Sequence, residues 1–197
     1  MKKLLIPLLL VGSLAPGACD DQSPLAPADE TYTVDRAGSP ALTVMSWNIY
    51  VGADLTQLLA VQDPSQIACG VSAVYADVLA TDFGARAVAI ADQIEAFRPH
   101  VIGLNEVSTF DFVYETIPFL EDLEFLAVLQ AELASRGLDY AAPVDARSTN
   151  FEITLPISYA ADCEPQDLLA YTEYDVLLVR DDVEWDDTGR VRAHRRQ

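Results

Sequence analysis

The segment from Asp82 to Glu106 constrains the fold more than any other. Phe83, Ala87, Ile90, Ile94 and Phe97 recur at helical spacing behind Asp82, a residue suited to cap a helix N-terminus, and Pro99 ends the pattern. The next residues, His100 to Asn105, form a short, nearly unbroken apolar run that delivers Glu106 at its end. A run of this kind suits a strand covered on both faces, which requires layers on either side of a sheet. Upstream, Ala41 to Val51 (ALTVMSWNIYV) alternates apolar with smaller or polar residues and reads as a strand ending near Asn48, followed by a loop at Gly52. The unit is strand, helix, strand.

Downstream, Leu123, Leu126, Leu129 and Leu133 predict a helix from Phe119 to Arg136, stopped by Gly137. A strand is expected near Tyr140, and Asp145 to Pro165 reads as loop. Tyr174 to Val183 (YDVLLVRDDV) reads as a buried strand, and Val183 to Val191 as a hairpin turning at Thr188 and Gly189. Strands alternating with helices, together with antiparallel hairpins, predict an α/β sandwich with functional groups at strand ends.

The amino terminus has a different character. Lys2 and Lys3, the apolar run Leu4 to Val11 and the small residues from Gly12 to Ala18 form a secretory signal, too short to span a bilayer. Cys19 follows Gly17 and Ala18, as in a bacterial lipobox, although Pro16 stands where an aliphatic residue is usual. Two outcomes are open: lipidation at Cys19, which anchors the chain to a membrane, or simple cleavage after Ala18. Residues 1–19 are thus read as signal, 20–40 as a Pro-, Ser- and Asp-rich linker, and 41–197 as the folded part of an exported, cell-envelope or secreted protein. Cys69 and Cys163 remain as an even pair in a compartment that permits disulfides, while two distant cysteines without clustered histidines lack the ligand set of a zinc site.

The formal charge of −19 sets up an unfavourable field toward polymeric nucleic acid, whose binding draws on Lys and Arg displacing counterions. The one basic cluster, Arg190, Arg192, Arg195 and Arg196, reads as a solvated end.

SWNI at the close of the first strand, followed by a helix and then RPHVIGLNEV, resembles the opening of the endonuclease/exonuclease/phosphatase superfamily. Its members include pancreatic-type deoxyribonucleases, apurinic endonucleases, bacterial sphingomyelinases and inositol polyphosphate phosphatases. Pro99, Val101, Ile102, Leu104 and Glu106 follow the family's second-strand pattern, with His100 in place of the usual Asp and Asn105 in place of the usual Gln; YDVLLVR resembles a later core strand.

The resemblance spans about Leu42 to Val191. It implies a four-layer α/β sandwich of which this chain carries the N-terminal part. It also implies Glu106 as a ligand of Mg2+ or Mn2+, with Asn48 beside it orienting a phosphate oxygen or a metal-bound water. Asp54 offers a second carboxylate or, on its local sequence, a cap for the turn at Thr56 to Leu59. The family's later G-D-x-N, D-H and T-H-L motifs do not occur in the sequence, and neither His100 nor His194 has the setting of a catalytic histidine. The expectation is therefore a severed, inactive piece of a metal-dependent hydrolase of phosphate esters, with phospholipid head groups, nucleotides or nucleic acid as substrates. The alternative is a noncatalytic envelope lipoprotein that uses the fold for binding.

Overall fold

A computed structural model of the chain describes residues 42–143, 147–185 and 191–193. The signal, the linker, Cys19 and His194 lie outside the described residues. The architecture is mixed α/β. Strand β1 (Val44–Asn48) runs parallel to β2 (Val101–Phe112), in register from Val44 opposite Val101 to Asn48 opposite Asn105. A parallel pair needs a long crossover, supplied here by α1 (Ile67–Ala80) and α2 (Phe83–Phe97). On the same side of β2 as β1 lies the short β3 (Leu123–Glu124), which leads into α3 (Phe125–Ser135). On its other side β2 pairs antiparallel with β6 (Asp167–Arg180). Beyond β6 lie β4 (Tyr140–Ala141) and β5 (Arg147–Ile157), completing a six-stranded mixed sheet. Strands β7 (Val183–Trp185) and β8 (Val191–Ala193) pair antiparallel with each other, and the turn expected at Thr188 and Gly189 lies outside the described residues.

Helix α2 starts and stops where its sequence dictates. The Asp82 carboxylate accepts the Ala85 amide at 3.1 Å, Phe83, Ala87, Ile90 and Ile94 are buried, and Arg98 in a left-handed conformation closes the helix ahead of Pro99. Helix α1 was not expected. Its sequence, IACGVSAVYADVLA, is apolar nearly all round, so it lacks the one-sided periodicity that marks a surface helix. Helix α3 is shorter than its predicted span from Phe119 to Arg136. The Asp122 carboxylate accepts the Phe112 amide at 2.8 Å, and Leu123 and Glu124 then pair with Phe110 and Thr109, so the chain is committed to the sheet edge before the helix begins.

The other corrections concern β2, β5 and β6. Strand β2 continues past Glu106 to Phe112, and β6 begins at Asp167, earlier than Tyr174. Strand β5 occupies much of the stretch expected to be loop. Its signal was present in the alternation of Phe151, Ile153, Leu155 and Ile157; Pro156 argued against it, yet proline is tolerated because β5 is an edge strand paired only with β6 among the described residues. Phe151, Ile153 and Leu155 line an apolar groove of about 440 Å³ shared with Leu58, Val71 and Tyr171, which leaves β5 partly open to solvent.

Aromatic rings tie the helices to the sheet. Phe83 of α2 stacks on Phe125 of α3 with centroids 3.8 Å apart, Tyr75 of α1 meets Phe110 and Phe112 of β2 at 5.4 and 5.5 Å, and Phe110 stacks on Tyr171 of β6 at 5.0 Å. Such pairs contribute about 0.5–1.5 kcal/mol each beyond their buried area. Burial also pushes the Tyr75 hydroxyl pKa up to about 12.

A disulfide between Cys69 on α1 and Cys163 in the loop between β5 and β6 closes a span of 94 residues. Next to it, Ser72 and Ser158 exchange hydrogen bonds between the same two segments. Among the described residues no single helix is long and apolar enough to cross a membrane.

Candidate functional site

The parallel register of β1 and β2 sets the end of β1 opposite Asn105 in the middle of β2, and that places Asn48 beside Glu106. Asn48 is the last residue of β1 and is exposed. Glu106 sits within β2, where the register with β6 slips by one residue between Leu104 and Val107. A bulge of this kind re-aims a side chain that a regular strand would leave pointing across the sheet. Glu106 takes a left-handed backbone conformation (φ 57°), and so does Tyr50 (φ 60°) in the loop after Asn48. For residues other than glycine this costs about 1–2 kcal/mol each, so the surrounding contacts must enforce it.

Those contacts form a closed set. The Asn48 side-chain amide donates from Nδ2 to Glu106 Oε1 at 2.5 Å, and the Val51 amide donates to Glu106 Oε2 at 3.2 Å. Asn48 Oδ1 accepts the Tyr50 amide at 2.8 Å, which fixes the orientation of the asparagine: reversed, its oxygen would face the carboxylate and its NH2 would face another donor. The Ile49 amide donates to the Asn105 carbonyl at 3.0 Å, extending the β1–β2 pairing into the loop.

Asn105 donates from Nδ2 to Asp175 Oδ1 at 2.8 Å, so β6 contributes a second carboxylate to a side chain adjacent to Glu106. Below the loop, the Arg86 guanidinium from α2 donates to the carbonyls of Ile49 and Tyr50. Sequence reading did not single out Asp175 or Arg86. Their signals were modest: an acid just ahead of the apolar run VLLV in YDVLLVR, and the one basic residue within the FGARAVAIADQIEAF helix.

Other residues considered from sequence lie elsewhere or do other work. Asp54 caps a short 3-10 turn, its Oδ1 accepting the Thr56 amide at 2.9 Å and the Thr56 hydroxyl at 2.6 Å; these bonds lower its pKa. His100 immediately precedes β2, six residues and roughly 20 Å of strand from Glu106. Its Nδ1 accepts the Thr43 amide at 3.0 Å, and burial, with Arg180 nearby, lowers its pKa.

The donor set suits a hard cation. Glu106 offers a carboxylate and Asn48 an amide oxygen; each of these oxygens already accepts one N–H, and each retains a further lone pair. Among the described residues no three His, Cys, Asp or Glu side chains converge, so no closed protein cage is built. One carboxylate and one amide oxygen would suit Mg2+ or Mn2+, which keep much of their hydration shell, better than tetrahedral zinc.

The molecule is thus a mixed α/β protein with a preorganised Asn–Glu pair where the end of β1 meets the bulge in the middle of β2. No protein-family model, curated protein or solved structure matches the chain.

Proposed function

We propose that this chain belongs to a metal-dependent phosphoesterase of the endonuclease/exonuclease/phosphatase type, acting on phosphate esters at the cell envelope. The observation that carries this reading is the hydrogen-bonded pair of Asn48 and Glu106, drawn from the two segments that resemble that family. Glu106 is the anionic ligand. Asn48 holds Glu106 Oε1 in place, and the Val51 amide holds Oε2, so the carboxylate is oriented before any ligand arrives. A bound Mg2+ or Mn2+ supplies charge that offsets the negative charge building on phosphate during attack by water. The strong negative charge of the whole chain favours small or zwitterionic phosphate esters over polymeric nucleic acid.

A second reading, a noncatalytic binding module, is favoured by the position of His100: bound to the Thr43 amide just ahead of β2, it is not placed to activate water near Glu106.

Mn2+ titration of the purified protein, followed by electron paramagnetic resonance, and hydrolysis of bis-p-nitrophenyl phosphate with and without chelator separate these readings, with Glu106→Gln as the control. Metal-dependent turnover lost in the variant supports the enzyme. Binding that depends on Glu106 without turnover supports the binding module. Folded protein that takes up no Mn2+ removes the metal site altogether.

A further inference from the structure

Among the described arginines, Arg86 alone has buried guanidinium nitrogens without a hydrogen-bond partner. Arg136 and Arg180 are each held by carboxylates, at 2.5 Å to Asp92 and 2.5 Å to Asp182. No ion pair among the described residues includes Arg86. Its Nε and Nη2 are buried without a hydrogen-bond partner. The guanidinium instead lies against aromatic faces, 4.9 Å from the Phe83 centroid, 5.4 Å from Phe125 and 5.7 Å from Tyr50. Cation–π attraction compensates in part for the lost hydration. A neutral donor would satisfy two carbonyls with less desolvation, so the charge itself calls for an explanation.

The geometry of the loop supplies one. Nη1 donates to the Ile49 carbonyl at 2.8 Å and to the Tyr50 carbonyl at 2.7 Å. The Ile49 carbonyl shares a peptide plane with the Tyr50 amide, and the Tyr50 carbonyl shares one with the Val51 amide. In a trans peptide the C=O and N–H point in opposite directions. The two planes that Arg86 grips from below therefore present their N–H groups on the far side, to Asn48 Oδ1 and to Glu106 Oε2. Tyr50, left-handed between the planes, allows both to face the same way, and consecutive amides so arranged form a concavity suited to anionic oxygen. A cation on the carbonyl side also polarises both peptides and strengthens their N–H groups as donors. Gly52 closes over the guanidinium at φ +103°, where a Cβ would meet Thr81 Oγ1 at 2.6 Å and Arg86 Nη2 at 3.3 Å.

We propose that Arg86 is a positioning residue: through the Ile49–Tyr50 and Tyr50–Val51 peptide planes it sets the orientation of Asn48 and Glu106 without reaching the ligand itself. The role of Glu106 in metal binding rests on the function proposed above; the alignment of the two peptide planes does not.

The test uses the full chain and two readouts, amide hydrogen exchange by NMR and Mn2+ affinity, in Arg86→Met and Arg86→Lys. In R86M the Tyr50 and Val51 amides should exchange at least tenfold faster, and the Asn48 side-chain amide resonances should move, while the buried Ile90 and Leu129 amides keep their protection. R86K, which retains charge and donors, should recover most of the protection. Mn2+ affinity should fall about tenfold in R86M and recover in R86K. If R86M does not fold, Arg86→Gln takes its place, with the same expectation at Tyr50 and Val51. Unchanged exchange at Tyr50 and Val51, with only the melting temperature lowered, would overturn the proposal and leave Arg86 as packing. Wild-type protein that binds no Mn2+ would remove the metal reading, and the exchange data would still decide the role of Arg86.

Discussion

The side-chain amide of Asn48 and the carboxylate of Glu106 meet at 2.5 Å although 58 residues separate them. Their encounter follows from the parallel register of β1 and β2, which sets Asn48 opposite Asn105 and so next to the bulge that turns Glu106 outward. In the proposed metal site, where Glu106 is the single anionic ligand, the group that holds that ligand governs how much reorganisation binding requires.

Asn48→Ala removes the amide that orients Glu106 Oε1 and frees the Tyr50 amide from its acceptor. Loss of a partner that orients a metal ligand typically weakens affinity by about 10–100-fold. Titration of Mn2+ against the variant should show a loss in that range with a melting temperature close to wild type, because the pair is exposed and contributes little to stability. Equal affinity in the two proteins would mean that Glu106 needs no help from Asn48.

Asp167 predicts an acid limit to stability. It is only 3% exposed, and its carboxylate accepts the amides of Tyr114, Thr116 and Leu168 at 3.0, 2.8 and 2.7 Å and the Thr116 hydroxyl at 2.9 Å. Burial alone raises its pKa, but these hydrogen bonds outweigh burial and hold it below the ordinary carboxylate value. With the folded pKa below the unfolded one, the contribution is complete above the unfolded value of about 3.9 and is lost as pH falls through the folded value. Asp167→Ala, which strands three amides, should cost about 3 kcal/mol near neutral pH. Urea melts of variant and wild type should converge only in strong acid; a constant gap down to the lowest pH would contradict the assignment.

The disulfide between Cys69 and Cys163 should stabilise the fold mainly by restricting the unfolded chain, because it closes a loop of 94 residues. Chain-entropy arguments give about 4–5 kcal/mol for a loop of that size. Differential scanning calorimetry of the Cys69→Ser, Cys163→Ser double variant should show a large drop in melting temperature, and thiol titration of denatured wild-type protein should find neither of these two cysteines free. A drop of only a degree or two would mean that the Ser72–Ser158 contacts and neighbouring packing hold α1 to the β5–β6 loop by themselves.

Local pattern alone determined a good part of this protein. Helix α2 was legible from its spacing, its Asp82 cap and Pro99, because each acts within a few residues. Strand β1 and the opening of β2 were legible for the same reason; Asn48 and Glu106 stood out only through the resemblance of those two segments to a known family. The uniformly apolar α1 and the proline-bearing edge strand β5 were not read, since their periodic signals are weak or contradicted locally and their stability comes from what they pack or pair against.

Only the tertiary structure decided the rest. The pairing of Cys69 with Cys163, the turn at Asp122 that delays α3, and the bulge that aims Glu106 all depend on segments distant in sequence. The clearest case is Arg86: on α2 it is one exposed-looking charge among apolar neighbours, and its purpose appears only when the crossover lays that helix beneath the loop after β1 and two peptide planes come within reach of one guanidinium nitrogen. Periodicity reports which face of an element is buried; it carries no information about which carbonyl, 36 or 37 residues away, will meet it there.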